Sequence, residues 1–241
     1  MHDTTATPVS APAAAASRFD LYGPIHKALR ACLFDTVVRV GRLDLDDAGE
    51  FRRVCDQVDA LAATLRSHLA HENEFIHSLM QSLAAGSPQR AAHDHADHLE
   101  AIARIEALNA VLRAAPSRGA CEALYHHLAL VAADNLEHMH LEETQHHAVL
   151  WDHCSDAELL AVEQAIVASL SPREFTEMLA WMLPALAPTV RTQMLTGIRQ
   201  GAPAPVFEMV LGIARSNLDA TGWAKLSRSL GVPMVPGLAM A

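Results

Sequence analysis

Rings are scarce in this chain: aromatic residues make up 5% of its 241 positions. Sheets draw on aromatic and β-branched side chains, so a sequence this rich in Ala and Leu and this poor in rings points to helices. Charge is thin too, at 19%, but 51% of the residues are hydrophobic, which excludes wholesale disorder. Basic residues are the rarer sign. The 18 Lys and Arg against 28 Asp and Glu leave a formal charge of −10, which argues against a nucleic-acid or anionic-membrane partner. Cysteine is limited to Cys32, Cys55, Cys121 and Cys154, with no C-x-x-C pair. They read as reduced thiols packed in helices, neither a redox or zinc motif nor a disulfide framework.

Long apolar runs are missing as well. The nearest, Met178 to Val190, carries Pro184 and Pro188 and falls short of the roughly 18 residues a membrane span needs. Residues 1–17 have neither a basic n-region nor an apolar h-region, so a flexible tail is expected there, not a signal peptide, and the expected location is cytoplasmic. The last 88 residues lack histidine entirely, whereas fourteen of the fifteen histidines fall between His26 and His153. That partition predicts a histidine-using part and a second part with a different task.

Turn signals divide the first part into four periodic segments. One runs from about Phe19 to Gly41. An Asp-rich turn (Asp44, Asp46, Asp47, with Glu50 placed as in a capping box) opens a second that lasts to about Ala84. Gly86-Ser87-Pro88 precedes a third, and Pro116 to Gly119 separates it from a fourth ending near His153. The expected fold is all-α: an antiparallel up-down four-helix bundle over residues 18–153, followed by a C-terminal set of short helices over 155–232. Ser155-x-x-Glu158 and Ser171-Pro172-x-Glu174 mark helix starts in that extension, and Pro184, Pro188, Gly201, Pro203, Pro205 and Gly222 are expected to cut it into pieces. Its Met178, Trp181, Met182, Phe207 and Met209 read as core, or as a dimer or partner surface.

Polar residues interrupt the apolar seams in register. The second segment reads Val54, Val58, Leu61, Leu65, His68, Glu72, Phe75, Leu79, and the fourth reads Leu124, Leu128, Val131, Asn135, His138, Glu142, Gln145, Val149. Each seam thus carries a histidine and, one turn on and on the same face, a glutamate. His26 lies on the first seam, His95 and His98 on the third, and antiparallel packing brings all of these into one layer. Burying carboxylates and imidazoles unpartnered would cost several kcal/mol per charge. A bound metal removes that cost, and imidazole with carboxylate suits iron, manganese or zinc, a carboxylate bridging two ions. The candidate ligands are His26, His68, Glu72, His95, His98, His138 and Glu142, enough for two ions with one position open.

The segments Ile25-His26-Lys27, His68 to His77, His95-Ala-Asp-His98 and Glu137 to Glu143 resemble a bacterial hemerythrin-like (HHE cation-binding) protein over roughly residues 19–153. The resemblance implies a non-haem di-iron site with Glu72 and Glu142 bridging the metals. It places His26 and His68 on one iron, and His138 with the helix-three histidines on the other. It also implies O2, nitric oxide or peroxide as the small ligand. The family often has helix-three histidines four apart, while here they are three apart, His95 being preferred to His98. His71, Glu74, His77, His140 and Glu143 read as flanking groups, and His93, His126, His127, His146, His147 and His153 as peripheral. Three functions compete: an O2-responsive binding or sensing module, a peroxidase or nitric oxide or peroxide scavenger, and a metal-switched adaptor that binds a protein through its C-terminal helices.

Overall fold

The computed structural model describes residues 18–234, so the tail expected over residues 1–17 lies outside the described residues. Helix α1 (Gly23–Gly41) starts later than its periodicity suggests, because the Asp20 carboxylate accepts the Gly23 N–H at 2.7 Å and Pro24 follows in the first turn. Leu21 and Tyr22, ahead of the helix, are buried. The Asp47 side chain caps α2 (Ala48–His71) by accepting from the Gly49 and Glu50 N–H groups. The rod then passes through a π turn (Glu72–His77) into α3 (Ser78–Leu83). The third rod is α4 (Gln89–Ala114). The fourth repeats the second: α5 (Arg118–Leu141), a π turn (Glu142–His146) and α6 (His147–His153).

Helix α1 packs on α2 and α5, and α4 packs on the same two from the opposite side, which closes the four-helix bundle. No strand occurs among the described residues. Two apolar clusters fill the bundle. An upper one holds Leu33, Val58, Leu61, Ile105, Leu112 and Leu128; a lower one holds Leu21, Tyr22, Ile76, Met80, Leu150 and Leu159. Each fully buried Leu or Ile stabilises by roughly 1.5–3 kcal/mol. The polar layer lies between them.

Both expected capping boxes are formed, Ser155 with Glu158 at α7 (Asp156–Ser169) and Ser171 with Glu174 at α8 (Pro172–Ala185). Helix α7 brings Leu159 into the lower cluster and touches the first π turn. Helix α8 lies along α1, where Met182 and Leu186 meet Ala28. It also shares a second core with α9 (Pro188–Gly201), α10 (Ala204–Asn217) and α11 (Ala220–Leu230), built on Leu183, Leu195, Val210 and Leu226.

Two expected breaks are not breaks. Pro184 sits inside the last turn of α8, whose end carbonyls are taken up by the buried Arg191: its guanidinium donates to Leu183 O at 2.5 Å and Leu186 O at 2.8 Å. Gly222 lies in the first turn of α11, where its N–H donates to the Asp219 cap at 2.6 Å. Of the expected Met and aromatic core, Met209 is exposed. No described helix is long and apolar enough to cross a membrane.

Candidate metal centre

Each rod delivers its imidazoles to the layer between the two cores. His26 comes from α1, His68 and Glu72 from the junction of α2 with its π turn, His95 from α4, and His138 and Glu142 from the junction of α5 with its own. Glu142 and His26 are fully buried, and Glu72, His95 and His138 nearly so. His68 Nε2 stands 3.2 Å from Glu72 Oε1, and His26 Nε2 lies 3.6 Å from Glu72 Oε1 and 3.5 Å from Glu142 Oε2. On the other side His95 Nε2 is 3.4 Å from Glu72 Oε2, and His138 Nε2 is 3.3 Å from Glu142 Oε2.

The outer nitrogens decide which way the lone pairs point. His26 Nδ1 meets Glu143 Oε1 at 3.0 Å, and Arg30 holds that carboxylate with bonds of 2.6 and 3.0 Å. His95 Nδ1 meets Asn73 Oδ1 at 2.9 Å, and His138 Nδ1 faces Asp94 Oδ2 at 3.5 Å. In each ring the acceptor outside keeps the proton on Nδ1 and turns a bare Nε2 inward. Those inward nitrogens face carboxylate oxygens that have no hydrogen-bond partner among the described residues: both of Glu72 and both of Glu142. Lone pairs facing lone pairs need a cation between them. Ligands bound at 2.0–2.2 Å in tetrahedral or octahedral geometry sit about 2.8–3.6 Å apart, the range of the spacings found here.

Two groups of donors emerge, His26, His68, Glu72 and Glu142 in one and Glu72, His95, His138 and Glu142 in the other, the ligand atoms of each within 4.8 Å of one another. Both glutamates belong to both groups, so either can span two ions. The model of the hemerythrin HHE cation binding domain matches residues 23–150, from the start of α1 to the last turns of α6.

The chain belongs to the hemerythrin HHE cation-binding family. No curated protein and no solved structure matches it. Within this hemerythrin-like centre, protons take over the cation's task when metal is absent. Burial pulls His26 and His95 down, yet their carboxylate neighbours, Glu143 among them for His26, outweigh it and lift each to about 9. Burial and the charge of Glu142 push Glu72 up, but His68, His26 and His95 hold it at about 2. Glu142 is likewise held well below the usual carboxylate range, burial being outweighed by His138, His77 and His95. His68 goes the other way, drawn by burial to about 4 against the attraction of Glu72.

Six of the seven residues expected from the sequence converge in these two groups. His98 stands apart. It is buried, but its Nε2 pairs with Asp134 Oδ2 at 2.9 Å, and its ring meets that of His138 edge-on with centroids 4.8 Å apart. Beside it a cleft of about 120 Å³ opens to solvent, walled by Asp94, Asp97, Asp134 and Glu137 and floored by His98 and His138.

Two further histidines join the layer. His77, expected as a flanking group, and His146, expected at the periphery, are 6% and 1% exposed. His146 lies four residues past Glu142, on the same face even of an ordinary α-helix, whereas His77 lies five past Glu72, and its cause is the π turn that begins there. At about 100° per residue an α-helix would carry a residue five positions on some 140° away; the wider i→i+5 winding brings it back. The seams slip with it. Past Glu72 the buried positions are Ile76, His77 and Met80, not Phe75 and Leu79; past Glu142 they are His146, His147 (also expected at the periphery) and Leu150, not Gln145 and Val149. The sequence did hold a signal: both rods place a histidine four or five positions beyond the seam glutamate.

Proposed function

We propose that this hemerythrin-like chain holds two iron ions and binds or senses O2 or a related small ligand, nitric oxide or peroxide. The observation that carries the reading is the inward convergence of bare Nε2 atoms and unpartnered carboxylate oxygens from two facing His-x-x-x-Glu pairs. His26 and His68 would hold one ion, His95 and His138 the other, with Glu72 and Glu142 spanning both. Bound there, iron would supply a reversible one-electron redox change and a coordination position for the small ligand. The chain's own residues do the rest. Arg30 and Glu143 fix the ring of His26, Asn73 fixes His95, and Asp94 orients His138, which sets tautomer and basicity. The apolar clusters on either side keep bulk water from the layer. Neutral imidazoles in place of further carboxylates favour binding and sensing over turnover of an organic substrate.

The acidic cleft supports a second reading, a scavenger of peroxide or nitric oxide, because it gives solvent a path to the ring of His138. Elemental mass spectrometry on the untagged, aerobically purified chain tests the first point. About two irons per chain supports the reading, and one zinc or no metal overturns it. Mixing the reduced protein with O2 and then with peroxide separates the two readings. A spectral change that reverses on removing O2 favours binding, and sustained peroxide consumption favours scavenging.

A further inference from the structure

The paired glutamates differ in their surroundings. Glu142 turns Oε2 to His26 and His138, at 3.5 and 3.3 Å, while its Oε1 has His95 Nε2 at 3.8 Å and, on the side away from the other oxygen's partners, His77 Nε2 and His146 Nδ1 each at 3.9 Å. His77, Glu142 and His146 form a third group whose ligand atoms all lie within 4.8 Å of one another, and none of the three is more than 6% exposed. We propose that these residues are a third cation seat, contiguous with the two-metal centre and outside its expected ligand set.

Hydrogen bonding supports it. Both ring nitrogens of His77 and the Nε2 of His146 are buried with no partner among the described residues. His146 Nδ1 lies 2.9 Å from the hydroxyl oxygen of the buried Tyr22. If the Nδ1–H donates to that oxygen, the tautomer leaves Nε2 bare, the arrangement by which proteins hold a metal-binding imidazole. His77 is positioned by stacking on His95, ring centroids 4.7 Å apart and planes 17° apart, a contact that spends neither nitrogen. Leaving two imidazoles buried with three idle nitrogens is costly, and a cation uses two of them, one from each ring.

The chemistry of the set is specific. Two imidazoles and one carboxylate, with positions left open, suit a divalent first-row ion such as Fe(II), Co(II) or Zn(II), and not the all-oxygen preference of calcium or magnesium. His77 Nε2 stands 3.9 Å from Glu142 Oε1, wider than the about 2.8–3.6 Å that ligands at 2.0–2.2 Å from an ion adopt in octahedral or tetrahedral geometry. This seat is therefore the loosest of the three and fills last. The first π turn, Glu72–His77, brings His77 to the seat, and His146 reaches it from one helical turn past Glu142.

The proposal rests on the two-ion reading, and one titration separates them. The metal-free full-length chain is titrated anaerobically with Co(II), and bound metal is counted after equilibrium dialysis. Wild type is expected to take three Co(II) per chain, the third in a weaker, separate phase. The His77→Ala/His146→Ala protein is expected to take two. The single His77→Gln protein, which keeps a side chain of similar reach, is expected to lose only the weak phase, and its circular dichroism confirms that the helices are intact. Saturation of wild type at two, or three ions retained in the variants, overturns the third seat and leaves the two-ion centre standing. Fewer than two in wild type overturns both.

Discussion

The Nε2 atoms of His95 and His138 stand 3.0 Å apart in the middle of the layer, while Asn73 and Asp94 occupy the opposite nitrogens of the two rings. Two imidazoles so tethered cannot both donate to each other. One must take up a second proton, or both must share a cation. That contact ties the metal chemistry to the protonation of the layer, and the prediction on pH follows from it.

Glu142 is the donor common to all three groups, whereas His98 belongs to none and spends its Nε2 on Asp134. The Glu142→Ala chain is expected to lose most of its metal, and the His98→Ala chain to keep the wild-type amount, as counted by elemental analysis on the same preparations. Metal loss in the His98 variant as large as in the Glu142 variant would return His98 to the ligand set.

In the metal-free chain His26 and His95 titrate at about 9, above the 6.5 of an unfolded histidine. Protonation of groups whose folded pKa is raised stabilises the fold fully below about pH 6.5, and that contribution is lost as pH rises through about 9. The melting temperature of metal-free protein is expected to fall across that window. Metal must displace these protons, so affinity for added Co(II) rises over the same range. Calorimetry at pH 7 in buffers of different ionisation enthalpy should register proton release, and a buffer-independent heat would contradict it.

Glu174 caps α8 and accepts from Ser67 on α2 at 2.8 Å, so it joins the C-terminal helices to the bundle. Its bonds to Ser171 and Ser67 hold it at about 2. A depressed carboxylate stabilises above its unfolded pKa near 4.3 and loses that contribution as pH falls through about 2. The group is only half-buried and solvent screens it, so Glu174→Gln should cost no more than about 1 kcal/mol at pH 7. The gap between variant and wild-type melting curves should close toward pH 2, and a gap constant with pH would remove the ionic part of the argument.

Leu159 is fully buried where α7 meets the lower cluster. Truncation to Ala is expected to cost about 2–5 kcal/mol in denaturant unfolding while metal content stays unchanged. The same truncation at exposed Leu160 should cost under about 0.5 kcal/mol. Equal effects at the two positions would mean that α7 is not seated on the bundle.

Much of this was legible in the chain. Four rods, the turns between them and the capping boxes at Ser155 and Ser171 follow from periodicity and local side-chain chemistry, which are properties of neighbouring residues. The same rule put His26, His68, Glu72, His95, His138 and Glu142 on inward seams. It failed where the helix stopped being an α-helix. A π turn leaves no mark in hydrophobic spacing except a slip of one position, so Ile76 was not distinguished from Phe75 and His77 was left outside. His146 lies one ordinary turn past Glu142, but Gln145 fits the same three-or-four spacing. His98 shows the opposite limit. It lies on the α4 seam and is buried as expected, but which nitrogen faces which acceptor depends on Asp134, which sits on a different rod. The site of α8 along α1 was equally out of reach, since nothing local to Met182 names Ala28 as its neighbour.

Chain length at the π turns carries one more consequence. Each is an α-helix wound wide enough to absorb one extra residue. Removing a single residue within Glu72–His77 would let that rod continue as an ordinary α-helix with everything after it keeping its facing. Met80, fully buried now, would stay in the lower cluster, as Leu150 would after the same deletion within Glu142–His146. A deletion in the ordinary winding ahead of Glu72 or Glu142 has no such slack and would turn everything after it by about 100°. The wide turns are therefore where these two rods tolerate the loss of a residue, as surface connections such as Gly86-Ser87 should also do.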